Sequence, residues 1–212
     1  MATELLYRDD AYLKTATARV VAARPGLVEL DRTIFYAQGG GQPGDTGYMV
    51  RESGERLSIL DTRKGEAQGN VNHILAPGAA PPAPGEQLSL ELDWPRRYAL
   101  MRLHTALHVM SCVVVAPVTG GNISPDKARL DFDIDMTLLD AQPELVKTMS
   151  VQPPRGTGRI RLLRIPGIDL QPCGGTHVRD ISEIGGIRVL RIRNEGKRNK
   201  RVEIALVEAP RA

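Results

Sequence analysis

Residues 94–115 read WPRRYALMRLHTALHVMSCVVV, and this stretch predicts a long helix. Asp93 can cap the free backbone amides at its start, and Pro95 suits the first helical turn. Apolar residues cover a broad surface of the predicted helix, so we expect it to lie buried against a sheet. His104 and His108 are four positions apart, a spacing that places both imidazoles on one helix face, where they can bind one metal ion.

A second pair of metal-binding residues occurs further along the chain, in QPCGGTH (171–177). Cys173 and His177 repeat the four-residue spacing, but Pro172 before them and the two glycines between them predict a tight loop. Imidazole nitrogens and a thiolate sulfur form the ligand set that zinc prefers. We therefore predict a zinc site with one helical half and one loop half.

The two pairs are stronger evidence together than either pair alone. A lone pair of histidines four apart is more often one packed and one solvated residue. Here three of the four histidines and one of the two cysteines of the chain fall into matching pairs. A zinc-protease helix is excluded, because that motif needs glutamate directly after the first histidine and Thr105 stands there.

The composition is that of an ordinary soluble globular protein. The 212 residues include 42% hydrophobic and 25% charged residues. Two cysteines argue against a disulfide framework, and Cys112, in the apolar run 109–115, is interpreted as a small core residue. The N-terminus lacks the apolar segment of a signal peptide, and the longest apolar run, 109–118, is too short to span a bilayer. We expect a cytoplasmic protein that does not enter a membrane.

Positive charge is concentrated towards the C-terminus. Residues 1–154 hold 15 Lys/Arg and 19 Asp/Glu, whereas residues 155–212 hold 13 and 6, a net charge of +7. The most basic segment is RIRNEGKRNKR (191–201), which favours contact with a polyanion. Aromatic residues are few there, so such contacts would go to phosphate and ribose rather than to stacked bases. A solvated hairpin turn between charged strand ends explains the charge equally well.

Residues 1–92 are predicted to form a small antiparallel β-barrel. Short segments with strand patterns are separated by turn signals, and residues 88–92 alternate between leucine and polar side chains. Residues 76–85 hold four prolines and predict an exposed loop. His73 is interpreted as a structural histidine. The candidate strands are 15–23, 27–30, 33–36, 47–50, 57–61, 71–75 and 88–92.

A glycine-rich segment lies in the middle of this half, where residues 38–47 read QGGGQPGDTG. It contains the spacing GxGxxG, but a nucleotide-binding loop of that kind must open a helix, and here Pro43 and the strand-like residues 47–50 follow. No Gly-Lys-Ser or Gly-Lys-Thr follows either, which excludes a P-loop. Two interpretations remain open: a tight corner of the barrel, or a loop pressed against a ligand or the second domain.

Residues 93–212 are predicted to form a second domain, in which the long helix packs on an antiparallel sheet. Pro117 and the pair Gly120-Gly121 are expected to end the helix. The predicted strands are 129–135, 158–165 and a hairpin of 186–193 with 201–207 around the basic turn. The predicted fold class is α+β: an N-terminal β-barrel followed by a two-layer α/β domain.

Four segments of the chain resemble one protein family. They are HTALH (104–108), GGNISPDKARLDFD (120–133), CGGTH (173–177) and GGGQPGDTG (39–47). They resemble the editing domain of alanyl-tRNA synthetase and its free-standing relatives, the AlaX-type trans-editing proteins, of which the larger forms carry the glycine-rich motif. The resemblance implies a hydrolase that cleaves the ester between tRNA(Ala) and a wrong amino acid, chiefly serine, with glycine as a second candidate. It also implies Zn²⁺ as the cofactor, held by His104, His108, Cys173 and His177.

Further residues receive candidate roles. By resemblance, the candidate catalytic residues are Thr105 and Gln42, and the candidate substrate-binding residues are Asn122, Gly174 and Thr176. The candidate tRNA contacts, taken from the basic segment, are Lys197, Arg198, Lys200 and Arg201. The resemblance also leads us to expect a longer segment where this chain has only residues 138–150.

The predicted ligand set leaves one question about the chemistry. Four protein ligands would close a tetrahedral zinc site, whereas catalysis needs an open position. We therefore expect one of the four to be loosely bound or to lie outside the coordination sphere. The alternative is a purely structural zinc that joins helix to loop in an RNA-binding module without hydrolytic activity.

Overall fold

The structure, a computed structural model, describes residues 2–114, 116–134, 161–196 and 198–207. The chain divides into two compact units, Met1–Ala99 and Leu100–Ala212. The sequence-based division at residues 92 and 93 stays a prediction. The expected shortening at 138–150 and the candidate tRNA contact Lys197 lie outside the described residues.

The first unit, described from residue 2 onward, contains a closed antiparallel barrel of six strands. Its strands follow one another around the barrel in the order β2-β3-β7-β6-β5-β8, so no barrel strand has an open edge. The predicted barrel is confirmed. The strands of this unit are β1 (Glu4–Leu5), β2 (Thr15–Arg24), β3 (Leu27–Leu30), β4 (Arg32–Thr33), β5 (Gly47–Val50), β6 (Arg56–Lys64), β7 (Val71–Leu75) and β8 (Gln87–Leu92).

The barrel core follows from alternation along the strands. In β8, Leu88, Leu90 and Leu92 are buried while the residues between them are more accessible, as the sequence pattern predicts. Met49 of β5 and Phe35 are fully buried in the same cluster. Each of these side chains contributes about 1.5–3 kcal/mol by leaving water.

The predicted strand 33–36 is wrong beyond its first residue. The strand in this region is β4 (Arg32–Thr33), which pairs in parallel with β1. The next residues leave the ladder because their backbone groups bond to side chains instead. Tyr36 N donates to Asp45 Oδ2 at 2.5 Å, and Ile34 O accepts from Arg97 Nη2 at 2.8 Å. An apolar run of this kind marks burial, but it does not reveal which partner takes the backbone hydrogen bonds.

The glycine-rich segment forms a closely packed corner of the first unit. A Cβ on Gly44 would lie 2.0 Å from Thr62 O, and one on Gly47 would lie 2.2 Å from Glu91 O, so only glycine permits these approaches. The corner delivers Asp45 to a buried ion pair with Arg97. These contacts support the first of the two interpretations, a tight barrel corner.

Helix α1 (Trp94–Val113) begins where the sequence predicts. Asp93 Oδ1 accepts from Arg96 N at 3.3 Å, which confirms the predicted N-cap. Leu100, Met101 and Leu103 are fully buried. Among the described residues, no helix is long and apolar enough to cross a membrane.

The second unit adds antiparallel strands to the helix and confirms the α+β class. Within its described residues, four strands form a sheet in the order β13-β14-β10-β9, and two more pair separately. The predicted hairpin around the basic turn is confirmed as β13 and β14. The strands are β9 (Val118–Ile123), β10 (Ala128–Asp133), β11 (Leu162–Ile165), β12 (Asp169–Pro172), β13 (Ile187–Asn194) and β14 (Asn199–Leu206).

The expectation that Gly120-Gly121 ends the helix is wrong, because both glycines lie inside β9. Here the glycines serve packing between strands. A Cβ on Gly120 would lie 3.2 Å from Asp131 Oδ2, and one on Gly121 would lie 3.1 Å from Leu130 Cδ2. A glycine pair in the sequence can mark the end of a helix, but it can equally lie inside a strand where a neighbouring strand approaches closely.

Candidate metal centre

The structure brings together the two predicted pairs of metal-binding residues. One potential ligand atom from each of His104, His108, Cys173 and His177 lies within 4.8 Å of all the others. Cys173 Sγ lies 3.1 Å from His177 Nε2 and 3.5 Å from His104 Nε2. Helix α1 supplies two of these side chains and the loop after β12 supplies the other two, as predicted from their spacing.

The two distances from Cys173 Sγ to His177 and His104 suit a tetrahedral zinc ion. Zinc bonds of about 2.3 Å to sulfur and about 2.0–2.1 Å to nitrogen place neighbouring ligand atoms roughly 3.3–3.6 Å apart. The contacts of Cys173 Sγ with His177 and His104 are of that order. Three nitrogens and one sulfur are also a donor set that zinc accepts. The residues present therefore fit the ion.

The proton position on His177 follows from its contact with Thr105. The hydroxyl of Thr105 donates its one hydrogen to Met101 O at 2.9 Å, so its oxygen can only accept from its other neighbours. These are Val178 N at 3.3 Å and His177 Nδ1 at 3.2 Å. His177 must then carry its hydrogen on Nδ1, which leaves the Nε2 lone pair facing Cys173.

The same reasoning applies to His108 through Gln171. The amide nitrogen of Gln171 donates to the carboxylate of Asp169 and to Ser111 Oγ at 3.2 Å. The amide oxygen therefore faces His108 Nδ1, at 2.6 Å, and must accept a hydrogen from it. His108 thus keeps Nε2 free of hydrogen, which is the form that binds metal.

His108 is the outlying member of the quartet. Its ring centroid lies 5.2 Å from that of His104 and 5.1 Å from that of His177, whereas the latter two rings are 4.4 Å apart. The contacts of Cys173 Sγ described above go to His104 and His177. Cys173, His104 and His177 therefore form the tighter group.

Burial keeps the three imidazoles of the quartet neutral. Desolvation, with the nearby His108 and Arg161, lowers the pKa of His104 from its usual 6.5 to about 3. Desolvation also lowers the pKa of His177 well below its usual value, and that of His108 to a smaller extent. For Cys173, burial raises the pKa of the thiol. The imidazoles are ready to coordinate, while the thiol needs a cation close by to lose its proton.

Arg161 holds the loop half of the site and was not identified from the sequence. Its carbonyl oxygen accepts from Cys173 N at 3.1 Å, which continues the β11–β12 pairing by one more bond. Its guanidinium donates to Gly175 O. Two bonds from one residue thus fix the turn that carries Cys173. In the sequence, Arg161 is one of several arginines alternating with apolar residues, and nothing in that pattern distinguishes it.

Cys112 is not a core residue, contrary to the sequence interpretation. It is half-buried. Its Sγ donates to His108 O at 3.2 Å and lies 3.6 Å from Asp169 Oδ2. The apolar run around it suggested a core position, but Cys112 lies in the last turn of helix α1, and the next residue, Val113, is 74% exposed. Cys112 lies beside the residues that orient His108, not among the ligands.

The other candidate site residues lie in different places. Thr176 is fully buried next to His177, and a Cβ added at Gly174 would contact nothing within 4 Å. Asn122 lies in β9 and lines a surface groove together with Arg129 and Glu203. In the first unit, Gln42 is buried, and its backbone pairs with that of Gly39. Of the polar candidates, Thr105 is hydrogen-bonded to a member of the quartet, His177.

The described members of the basic turn are engaged within the protein. Arg198 makes two bonds to the carboxylate of Asp133, at 2.9 and 3.0 Å. Arg201 makes two to Asp131, at 2.7 and 2.9 Å, and Lys200 Nζ donates to Asn194 Oδ1 at 2.5 Å. Their contact with tRNA stays a prediction.

Comparison with known proteins finds consistent similarities. Residues 160–203 match the family model described as the second additional domain of threonyl and alanyl tRNA synthetases, and residues 9–96 match that of class II (A) tRNA synthetases. The alanyl-tRNA editing protein AlaX-M of Saccharolobus solfataricus is 36% identical, covering 94% of this chain and 97% of its own length. The AlaX-M protein of Pyrococcus horikoshii is 35% identical, covering 96% and 98%. An alanine–tRNA ligase of Saccharolobus islandicus is 30% identical over 90% of this chain but only 25% of its own length.

Proposed function

Because the chain belongs to the AlaX-M family of alanyl-tRNA editing proteins, we propose that it hydrolyses the ester of tRNA(Ala) carrying a wrong amino acid. The substrate is chiefly Ser-tRNA(Ala), with Gly-tRNA(Ala) as a second candidate. The reaction takes place at a zinc site held by His104, His108, Cys173 and His177. The observation that supports this proposal most directly is the convergence of four ligand atoms from distant parts of the sequence.

The residues around the quartet prepare it to hold the ion. Bound zinc would supply a Lewis acid that polarises the ester carbonyl and makes water more acidic. Thr105 and Gln171 each fix one histidine with its Nε2 lone pair free. Arg161 holds the turn that carries the thiol.

The distances between the four residues indicate which of them would leave a coordination position for water or substrate. A catalytic zinc site has three protein ligands and one position for water or substrate. Cys173, His104 and His177 form the tighter group, so these three would hold the ion most firmly and His108 would be the ligand that yields a position to water or substrate. The predicted loose ligand is therefore His108.

Thr105 acts through His177 in this proposal rather than on the substrate. Its hydroxyl hydrogen is committed to Met101 O, and its oxygen accepts from the loop. Selectivity for serine over alanine then needs buried polar groups that pair with the serine hydroxyl, since alanine would leave them unpaired.

The alternative function, an RNA-binding module with a structural zinc, is favoured by one observation. His104 and His177 are buried, and four N/S ligands are typical of closed structural sites. Structural zinc contributes roughly 10–16 kcal/mol to folding in small zinc domains, so removing it would unfold the second unit. A catalytic zinc would leave most of the fold in place when removed.

The test is deacylation of Ser-tRNA(Ala) by the zinc-loaded protein, with circular dichroism before and after chelation. We expect hydrolysis that stops on chelation while most secondary structure remains. Cys173→Ala should lower the rate more than about a hundredfold, because loss of a ligand exceeds the ten- to hundredfold effect of residues behind the ligands. His108→Ala should lose less zinc affinity than Cys173→Ala.

Cys112→Ala is the matched control, since it removes the other thiol without removing a ligand. The Cys112→Ala variant should deacylate Ser-tRNA(Ala) at a rate within a few-fold of that of the wild type. A Cys173→Ala variant with wild-type activity would remove zinc ligation from the mechanism. Stable Ser-tRNA(Ala) in the presence of zinc-loaded protein would contradict the proposed hydrolysis itself.

A further inference from the structure

Among the strands that the structure describes, β13 lies at one end of the four-stranded sheet, and all eight of its residues are exposed. Its sequence is IRVLRIRN, in which strict alternation would place Arg188 and Arg191 on opposite faces. The pairing with β14 shifts between Val189 and Arg191, so that Leu190 is an extra residue. This bulge changes which side chains share a face.

The bulge brings the three arginines of β13 to one face. Arg188 pairs with Ala205, Arg191 with Glu203 and Arg193 with Arg201. Ala205, Glu203 and Arg201 alternate along β14, so they share a face, and their partners share it with them. The apolar side chains of β13 that pair with Leu206, Ile204 and Val202 point to the opposite face; these are Ile187, Val189 and Ile192.

The carboxylates on this polar face are already paired. Asp131 binds Arg129 and Arg201. Glu203 lies 3.7 Å from Lys127 and 3.8 Å from Arg193.

Glu195, in the turn after β13, also engages two arginines, Arg193 at 2.7 Å and Arg201 at 3.1 Å. Within the described ranges, no ion pair involves Arg188 or Arg191, and both side chains are exposed. The face therefore carries two exposed guanidinium groups, and the carboxylates beside them already form ion pairs with other basic residues.

We propose that this surface, called here the arginine face (Arg188, Arg191 and Arg193, flanked by Lys127 and Arg129), docks the phosphate backbone of RNA. The inference rests on the proposed function, for which the RNA is tRNA. A row of guanidinium groups spanning roughly 15 Å along one strand matches a line of phosphates better than a single anion. Each planar guanidinium can donate two parallel bonds to a phosphate.

The composition of the face favours RNA phosphate over other partners. Aromatic side chains for base stacking do not occur in β13 or β14, so recognition of unstacked bases is not its chemistry. The paired apolar side chains of β13, those of Ile187, Val189 and Ile192, point to the other face, so the arginine face lacks the row of apolar groups that would insert into a bilayer. The main tRNA contact then lies on strand β13 rather than in the basic turn, because Arg198 and Arg201 are paired with aspartates, whereas Arg188 and Arg191 form no ion pair within the described ranges.

The test compares R188Q/R191Q with wild type in binding to uncharged tRNA(Ala) across a range of salt concentrations. Removing two phosphate contacts should weaken binding about tenfold at 0.15 M salt and flatten the log–log salt dependence by roughly 1.4 to 1.8. In deacylation the variant should show a raised KM for Ser-tRNA(Ala), with kcat retained. Melting curves of each variant check that the fold is kept.

The matched control is R24Q/R63Q, which removes the same charge from two exposed arginines of the first unit. It should bind tRNA like wild type. Equal weakening in both double variants would show a net-charge effect and overturn the proposal. An unchanged affinity and salt slope in R188Q/R191Q, with wild-type deacylation intact, would overturn the arginine face and leave the proposed function standing. A wild-type chain that neither binds nor deacylates tRNA(Ala) would overturn both.

Discussion

Buried histidines occur in both units, but their ring nitrogens are used differently. In the barrel, His73 is fully buried, with Nε2 2.8 Å from Thr33 Oγ1 and Nδ1 3.0 Å from Val28 O. In the second unit, His177 contacts Thr105 through Nδ1 but directs Nε2 at Cys173. His108 likewise contacts Gln171 through Nδ1. Both kinds of histidine have a lowered pKa, so the pKa alone does not distinguish them.

The two kinds of histidine differ in what their second ring nitrogen contacts. A structural histidine has both ring nitrogens bonded to ordinary donors and acceptors of the protein. A histidine prepared for a metal has one nitrogen bonded in this way and the other facing further ligand atoms. Changes in the barrel should therefore affect folding stability, and changes around the quartet should affect metal affinity.

The largest expected effect on stability comes from Arg97→Met. Arg97 is fully buried, pairs with Asp45, and donates to Ala11 O at 3.0 Å. Removing it leaves a buried carboxylate without its cation, which should cost about 3–5 kcal/mol. Urea unfolding measures the loss, and it should be equal with and without chelator. Arg63→Met is the control, since its ion pair with Asp61 is exposed and should contribute less than about 1 kcal/mol. If the unfolding free energy of the variant fell only in the presence of zinc, Arg97 would act on the metal site, and the assignment of barrel residues to folding stability alone would be wrong.

The next effect is the acid sensitivity of the barrel through His73. Burial lowers the pKa of His73 from 6.5 to about 4, partly offset by its bond to Val28 O. Neutral His73 therefore contributes stability that is fully present above pH 6.5 and is lost as the pH falls towards 4. The loss should be about 3 kcal/mol, at roughly 1.4 kcal/mol for each pKa unit.

His73→Gln isolates this contribution, because glutamine does not titrate. The difference in unfolding free energy between wild type and variant, measured in chelator, should shrink as the pH falls from 6.5 to 4. A difference that stays constant over this range would show that His73 is not the group responsible.

The smallest effect, and the one that sharpens the comparison, is expected for Gln171→Leu. Leucine cannot accept from His108 Nδ1, so the ring is no longer held with Nε2 free. Zinc affinity, measured by competition with a chelator, should fall about tenfold. Gln171→Glu keeps an acceptor towards His108 and should recover part of the loss. Wild-type zinc affinity in the leucine variant would show that Gln171 only packs against the helix.

Much of this architecture could be predicted because local patterns and burial agree. The alternation in β8 and the cap before α1 are local signals that the structure confirms. The ligand quartet could also be predicted, since each pair is local and zinc chemistry connects the two.

The remaining features depend on contacts between distant residues. The backbone of residues 34–36 bonds to Asp45 and Arg97, and no local pattern encodes that choice. Gln171 and Arg161 act through single hydrogen bonds, which leave no periodic signal. Gln171 could have been suspected only from its position two residues before Cys173.

The bulge at Leu190 has a consequence for how the protein behaves in concentrated solution. A strand at the end of a sheet exposes unpaired backbone groups, which can template the addition of a strand from another molecule. An extra residue twists such an edge, and positive charges along it repel an identical neighbour. Within the described residues, the bulge at Leu190 thereby also makes this edge a poorer template for the addition of another strand.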